Sequence, residues 1–183
     1  WSAESPTLYR CVVELGEDSY ETNFGFRTIR FDQNDLYINN QKVFLIGLNR
    51  HQCYPYIGYA AVDSLQEEDV RILKEELHVN AVRTSHYPQS QSFIDACDRY
   101  GLYVFTEIPG WQHIGDDTWK QQAIQNTKDM VLQYRNHPSI ILWGVRINES
   151  LDDDALYTKT NQVARDLDPS RPTAGVRYLT KSH

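Results

Sequence analysis

The strongest constraint on the fold is a rhythm that begins at residue 43. Short apolar runs alternate with segments whose apolar residues recur at helical spacing. The runs "VFLIGLN", "VNAVRTS", "LYVFTE", "SIILWGV" and "TAGVR" begin near residues 43, 79, 102, 139 and 173. They are apolar throughout, as strands of a parallel sheet covered on both faces must be. Between them, "DSLQEEDVRILKEEL" sets Val70, Leu73 and Leu77 on one helical face, with Asp63 or Ser64 available as a cap. "SQSFIDACDRYG" aligns Phe93, Cys97 and Tyr100 and closes at Gly101, a residue suited to the left-handed cap position. Residues 117–135 turn Ala123, Thr127, Val131 and Tyr134 inward, and "DDALYTKTNQVARDL" does the same with Leu156, Val163 and Leu167. Repeated βα units leave two architectures open, a doubly wound sheet and a (β/α)8 barrel. No glycine-rich fingerprint follows the first strand, which counts against a nucleotide-binding sheet.

Residues 1–31 read differently. "LYRCVVELG" and "FGFRTIRF" alternate as two strands joined by the polar turn "EDSYETN". A lone hairpin is barely stable in water, so it must pack on the βα region or pair with strands outside this chain. "DQNDLYINNQ" reads as a linker holding a short strand.

The polar groups gather at one end of the strands. The first strand ends in Asn49-Arg50-His51 and the second in Arg83-Thr84-Ser85-His86-Tyr87. The third ends in Glu107, with Trp111 and His113 soon after, and the fourth in Arg146, Asn148 and Glu149. In a barrel, chemistry sits at the carboxyl ends of the strands. Caps and satisfied loop residues explain any one of these ends better than all four together. Carboxylates among histidines and arginines suit glycoside hydrolysis, which needs one carboxylate to protonate the leaving oxygen and a second to attack or activate water. Glu149 and Glu107 are the candidates within the chain. Aromatic residues make up 12% of it, and their faces suit the apolar C–H surfaces of sugars.

The net charge of -7, without a lysine or arginine cluster, speaks against nucleic acid as a partner. No apolar run is long enough to cross a bilayer as a helix. Cys11, Cys53 and Cys97 lack metal-ligand spacing and are expected to be buried thiols. A start at Trp1 without a signal-peptide pattern fits the interior of a longer polypeptide, so cytoplasmic and exported (periplasmic or secreted) bacterial addresses both stay open.

The stretches "WSAESPTLY", "NFGFR", "GLNRHQ", "NAVRTSHYPQSQSFIDACDRYGLYVFTE", "NHPSIILW" and "NES" carry a resemblance. In this order, over nearly the whole chain, the sequence resembles glycoside hydrolase family 2, the family of β-galactosidases, β-glucuronidases and β-mannosidases. The resemblance implies an α/β fold made of part of a (β/α)8 TIM barrel. Residues 1–31 would be the last strands of an immunoglobulin-like sandwich, and residues 32–183 the amino-terminal part of the barrel, through strand five. It implies a retaining mechanism with Glu149 as general acid/base and Asn148 bonding the sugar 2-hydroxyl. His51 and His86 match sugar-contacting histidines, and Arg83 matches the arginine that orients the nucleophile. The nucleophile lies on strand seven of the family's barrel, beyond this sequence. Glu107 is not that residue, and its expected role is to bond neighbouring strand-end groups.

Some members hold magnesium through a glutamate and a histidine after strand three together with the acid/base glutamate. Here a site through His113 and Glu149 would find Trp111 where the glutamate belongs, and no cofactor is expected. Trp111 reads either as a wall of the sugar pocket or as a packed loop residue. Arg146 reads as the partner of a carboxylate in the barrel mouth or as a surface arginine. His137, in "RNHPSI", marks a helix end and is not counted as catalytic.

The leading expectation is part of a retaining exo-β-glycosidase, first of all a β-galactosidase, with β-glucuronidase or β-mannosidase as the alternatives. A non-catalytic fragment without its nucleophile is the competing reading, and a sugar-binding module the third. Expected partners are a carbohydrate, the rest of the polypeptide or a complementing chain that completes the barrel, and further copies in a homo-oligomer.

Overall fold

The computed structural model describes residues 1–32 and 34–178. Gln33, in the expected linker, and residues 179–183, at the end of the expected barrel segment, lie outside it. The chain opens with a hairpin, β1 (Tyr9–Leu15) and β2 (Asp18–Phe24), then forms a three-stranded antiparallel sheet of β3 (Ile29–Asp32), β4 (Asp35–Ile38) and β5 (Gln41–Val43). This sheet spans the expected boundary at 31/32. The βα units come next: β6 (Gly47–Arg50), α1 (Asp63–Arg71), β7 (Ala81–Thr84), α2 (Gln91–Tyr100), β8 (Tyr103–Glu107), α3 (Asp117–Tyr134), β9 (Ile140–Gly144), α4 (Asp154–Leu167) and β10 (Thr173–Ala174).

Strands β6 to β10 form one parallel sheet in unbroken chain order. A doubly wound sheet reverses its order at a switch point. Winding in one direction puts every crossover on one face, and that is how a barrel begins. The period of two then separates the faces. Val82, Val104 and Trp143 join the core under the helices and are almost completely buried. On the alternate face Arg83, Phe105 and Leu142, one row by register, are only partly covered.

The sheet β3–β5 lends Leu36 and Ile38 to a second cluster with Trp1, Ala3, Tyr103 and Ile141. Trp1 packs edge-on against Tyr103 at 5.7 Å and donates its indole N–H to the Asp98 carbonyl. The hairpin pairs with no other strand among the described residues. The segment after it docks instead, Arg27 donating to the Pro138 and Ile140 carbonyls at the start of β9.

Five expectations need correction. The hairpin's second strand is "DSYETNF", most of the expected turn, and not "FGFRTIRF": β1 and β2 pair from Leu15–Asp18 outward, so the turn is Gly16-Glu17, with Gly16 left-handed (φ 63°), and Ile29–Phe31 go to β3 instead. "VFLIGLN" is not one buried strand: residues 44–46 separate β5 from β6, and Phe44 and Leu48 are 80% and 48% exposed. β6 is an edge of the sheet, so its outer side has no neighbour here. Neither Asp63 nor Ser64 caps α1; Val62 holds the cap position with no side-chain hydrogen bond, and Asp63 lies in the first turn. Leu77 does not face inward, because α1 runs on into a π-helical turn, Ile72–Glu76. There Leu77 N–H reaches back five residues to the Ile72 carbonyl, and the wider turn leaves Leu77 52% exposed. Of the cysteines, only Cys97 is buried; Cys53 is exposed and Cys11 partly covered. Gly101 is left-handed as expected (φ 80°), and a Cβ there would also strike the Ala3 carbonyl at 2.4 Å.

Candidate active site

The strand-end residues meet over the carboxyl ends of β7, β8 and β9. Arg83 and Glu107 project from the same face of adjacent strands. Arg83 Nε donates to Glu107 Oε1 at 2.5 Å and Nη2 to Asn148 Oδ1 at 2.6 Å. The guanidinium has donors only, so the Asn148 oxygen must face it and the Asn148 Nδ2 must donate. That amide nitrogen lies 3.3 Å from His86 Nε2. His86 Nδ1 lies between Glu107 Oε2 at 3.1 Å and Arg83 Nη2 at 3.2 Å, so the ring is held from both sides. One chain of partners fixes an arginine, an amide and an imidazole. Glu107 sits at its root, 2% exposed with both oxygens engaged, bonding neighbouring strand-end groups as the sequence reading expects. Room for it comes from Gly144 on β9, where a Cβ would lie 2.6 Å from Glu107 Cγ.

Glu149 stands apart from this network. Trp111 Nε1 and Gln112 Nε2 each donate to its Oε2 at 3.1 Å. These hydrogen bonds, Trp111 first, hold the carboxyl below its ordinary value, with smaller help from the charges of His86 and Arg83. A general acid needs the opposite shift, and the half-open setting supplies none of the burial that would cause it.

The loops after β8 and β9 are stitched together by backbone as well. Trp111 and Asn148 form a parallel bridge, and Gln112 N–H donates to the Asn148 carbonyl at 2.8 Å. An open pocket of about 520 Å³ results, lined by His51, Tyr59, His86, Tyr87, Gly110, Trp111 and Glu149. His51 meets His86 edge-on at 5.4 Å. Trp111 is 61% exposed, its ring open to the pocket rather than packed away.

Every expected site residue therefore falls in one place: Glu149, His51, His86 and Trp111 line the pocket, and Asn148 and Arg83 brace it from below. Sequence reasoning missed Gln112 and Tyr59. Arg50, noted at the first strand end, turns to the helix face instead and bonds Asp69, Gln66 and Gln89. Arg146 pairs with Asp152 at 2.6 Å in the loop after β9. His137 is held by Asp98 at 2.6 Å and by Gln91, beneath the sheet and away from the pocket.

Magnesium does not fit the residues present. One Glu149 oxygen faces two N–H donors, His113 packs against Trp119, and the described residues do not bring His113 and Glu149 together with a third ligand.

With one reachable carboxylate, a fixed amide and an aromatic wall, the site can bind a sugar and move a proton. Among the described residues it holds no second carboxylate free to attack.

Comparison with known proteins gives a consistent pattern. Residues 29–181 match the family model described as "Glycosyl hydrolases family 2, TIM barrel domain", and residues 1–27 match the model "Glycosyl hydrolases family 2". The chain is 54% identical over 186 residues to a β-galactosidase of Thermoanaerobacterium thermosulfurigenes, covering 100% of this chain and 26% of that protein. A β-galactosidase of Thermoanaerobacter pseudethanolicus is likewise 54% identical, with 100% and 25% covered. Among solved structures, β-glucuronidase 3 of Bacteroides uniformis superposes with a TM-score of 0.86 at 34% identity, over 94% of this chain and 24% of that one. The family 2 β-galacturonidase of Eisenbergiella tayi bound to galacturonate gives 0.87 at 32% identity, over 97% and 33%. The chain thus spans about a quarter of the length of the curated relatives it matches.

Proposed function

This chain belongs to glycosyl hydrolase family 2, and from that premise we propose that it supplies the first five strands of the catalytic barrel of a retaining exo-β-galactosidase. The single observation that carries the reading is Glu149, a carboxylate in the loop after β9, facing an aromatic-lined pocket beside the fixed amide of Asn148. In this reading Glu149 protonates the glycosidic oxygen and then takes a proton from the incoming water. Asn148, held by Arg83 and 2% exposed here, would turn its Nδ2 from His86 to the sugar 2-hydroxyl, His51 and His86 hold further hydroxyls, and Trp111 offers its face to the ring. Arg83 has donors left beyond Glu107 and Asn148 with which to orient a nucleophile contributed by the remainder of the barrel. The sandwich strands before residue 32 would set that barrel on its neighbouring domain.

Galactose is favoured over a uronic acid because the 54% identical relatives are β-galactosidases. A panel of aryl β-galactoside, β-glucuronide and β-mannoside, hydrolysed by the complete enzyme and followed by proton NMR, tests this. The galactoside should have the highest kcat/KM and release the β-anomer first. Preference for the glucuronide or first release of the α-anomer would contradict it.

A further inference from the structure

A carboxylic acid that donates a proton must present one particular oxygen to it. At Glu149 the two oxygens are not equivalent. Oε2 faces two N–H groups, the Trp111 indole and the Gln112 amide, each at 3.1 Å. The Trp111 indole can only donate, and the Gln112 amide presents its NH2 to the same oxygen, so in this arrangement a proton on Oε2 would point at another proton. The arrangement is also held rather than incidental. Gln112 and Glu149 both adopt left-handed backbone conformations, φ 59° and 54°, which are uncommon for residues with a Cβ. The Gln112 N–H bond to the Asn148 carbonyl and the Trp111–Asn148 bridge lock the two loops in that state. Gly110 lets the first loop approach: a Cβ there would come 2.7 Å from the Ile147 side chain.

Building on the reading of Glu149 as the acid/base, we propose that Gln112 and Trp111 are positioning residues that reserve Oε2, so that Oε1 is the oxygen through which protons move. In the first step the proton on Oε1 passes to the glycosidic oxygen as the nucleophile bonds to the anomeric carbon. The bond between that carbon and the glycosidic oxygen breaks, and its electron pair stays on the leaving alcohol. Glu149 is left as a carboxylate, its charge met by the two N–H groups at Oε2. In the second step water bonds to the anomeric carbon, its proton goes to Oε1, and the nucleophile leaves with the electron pair of its own bond. The donors favour the carboxylate in both steps, opposing the upward push of a buried site and a neighbouring carboxylate.

The test compares the complete enzyme with its Gln112→Leu and Trp111→Phe variants on aryl β-galactosides of graded leaving-group ability across pH. Each variant removes one charge-assisted hydrogen bond, so the alkaline limb of kcat/KM should move up by about one unit. The loss in kcat should deepen as the leaving group worsens, reaching about tenfold on phenyl galactoside. Trp111→Phe keeps an aromatic wall and carries the same prediction if Gln112→Leu fails to fold. An unmoved limb, or an equal loss for every leaving group, overturns the proposal and leaves only a structural role for both residues. Glu149→Ala with added azide runs in parallel. Azide should restore turnover on an activated galactoside as galactosyl azide; near-normal activity of that variant without azide would instead remove the acid/base premise, and the proposal with it.

Discussion

Glu149 reaches its pocket from a left-handed backbone position, with its carboxyl held below the ordinary value by Trp111 and Gln112. The linkage has a definite sign. A carboxyl depressed in the folded state stabilises the fold above the ordinary carboxylate range, and that contribution is lost as pH falls through the folded value. Carbon-13 NMR of the Glu149 carboxyl in this chain should therefore show ionisation below the value for an exposed glutamate. A midpoint above it would contradict the hydrogen-bond account. In the proposed complete barrel this carboxyl would be buried beside a second one, so the same resonance in the complete enzyme should titrate higher. Glu149 was legible in the sequence because "NES" ends an apolar strand whose other members point to a barrel. Gln112 was not legible. Its role comes from a left-handed turn that brings the loop after β8 against the loop after β9, and no pattern of hydrophobicity encodes that approach.

At the scale of elements, α4 and β10 are tied to β9 by one buried arginine. Arg171 pairs with Asp168 and donates to the carbonyls of Arg135, His137 and Ile140. Burial works against the Asp168 charge, yet Arg171, Ser170 and Trp143 together keep its carboxyl low. Removing one partner leaves the other charge buried without compensation, so Arg171→Ala should cost about 3–5 kcal/mol in urea unfolding. A loss below about 1 kcal/mol, the range of exposed pairs such as Arg30–Asp32, would contradict this. Gly144→Ala should cost about 1–3 kcal/mol, because the new methyl meets Glu107 at both Cγ and Cα. Melting temperatures of the two chains check it. From residue 47 on, the order of strands and helices was readable from periodicity, whereas the polar strand "DSYETNF" read as a turn. The π-helical turn after α1 and the break between β5 and β6 were not readable, since "ILKEEL" and "VFLIGLN" keep regular apolar patterns through both.

The parallel sheet of the chain is open, and among the described residues its edges are β6 and β10. Beside β6, Phe44, Ile46 and Leu48 are all about half exposed or more. Unpaired strand edges flanked by apolar residues invite association. The isolated 183-residue chain should elute above its monomer mass of 21.4 kDa in light-scattering chromatography and should not hydrolyse an aryl galactoside. A clean monomer would argue against edge-driven association. Robust turnover would mean that a nucleophile exists within these residues. The barrel's direction of winding was foreshadowed by the βα rhythm, but only the unbroken strand order distinguishes it from a doubly wound sheet. The central claim is that Glu149 moves the proton, and kcat of Glu149→Gln in the complete enzyme on a poorly activated β-galactoside tests it most directly. A fall of about 10²–10⁴-fold is predicted, the range for loss of general acid–base catalysis; turnover within a few-fold of the unaltered enzyme would contradict it.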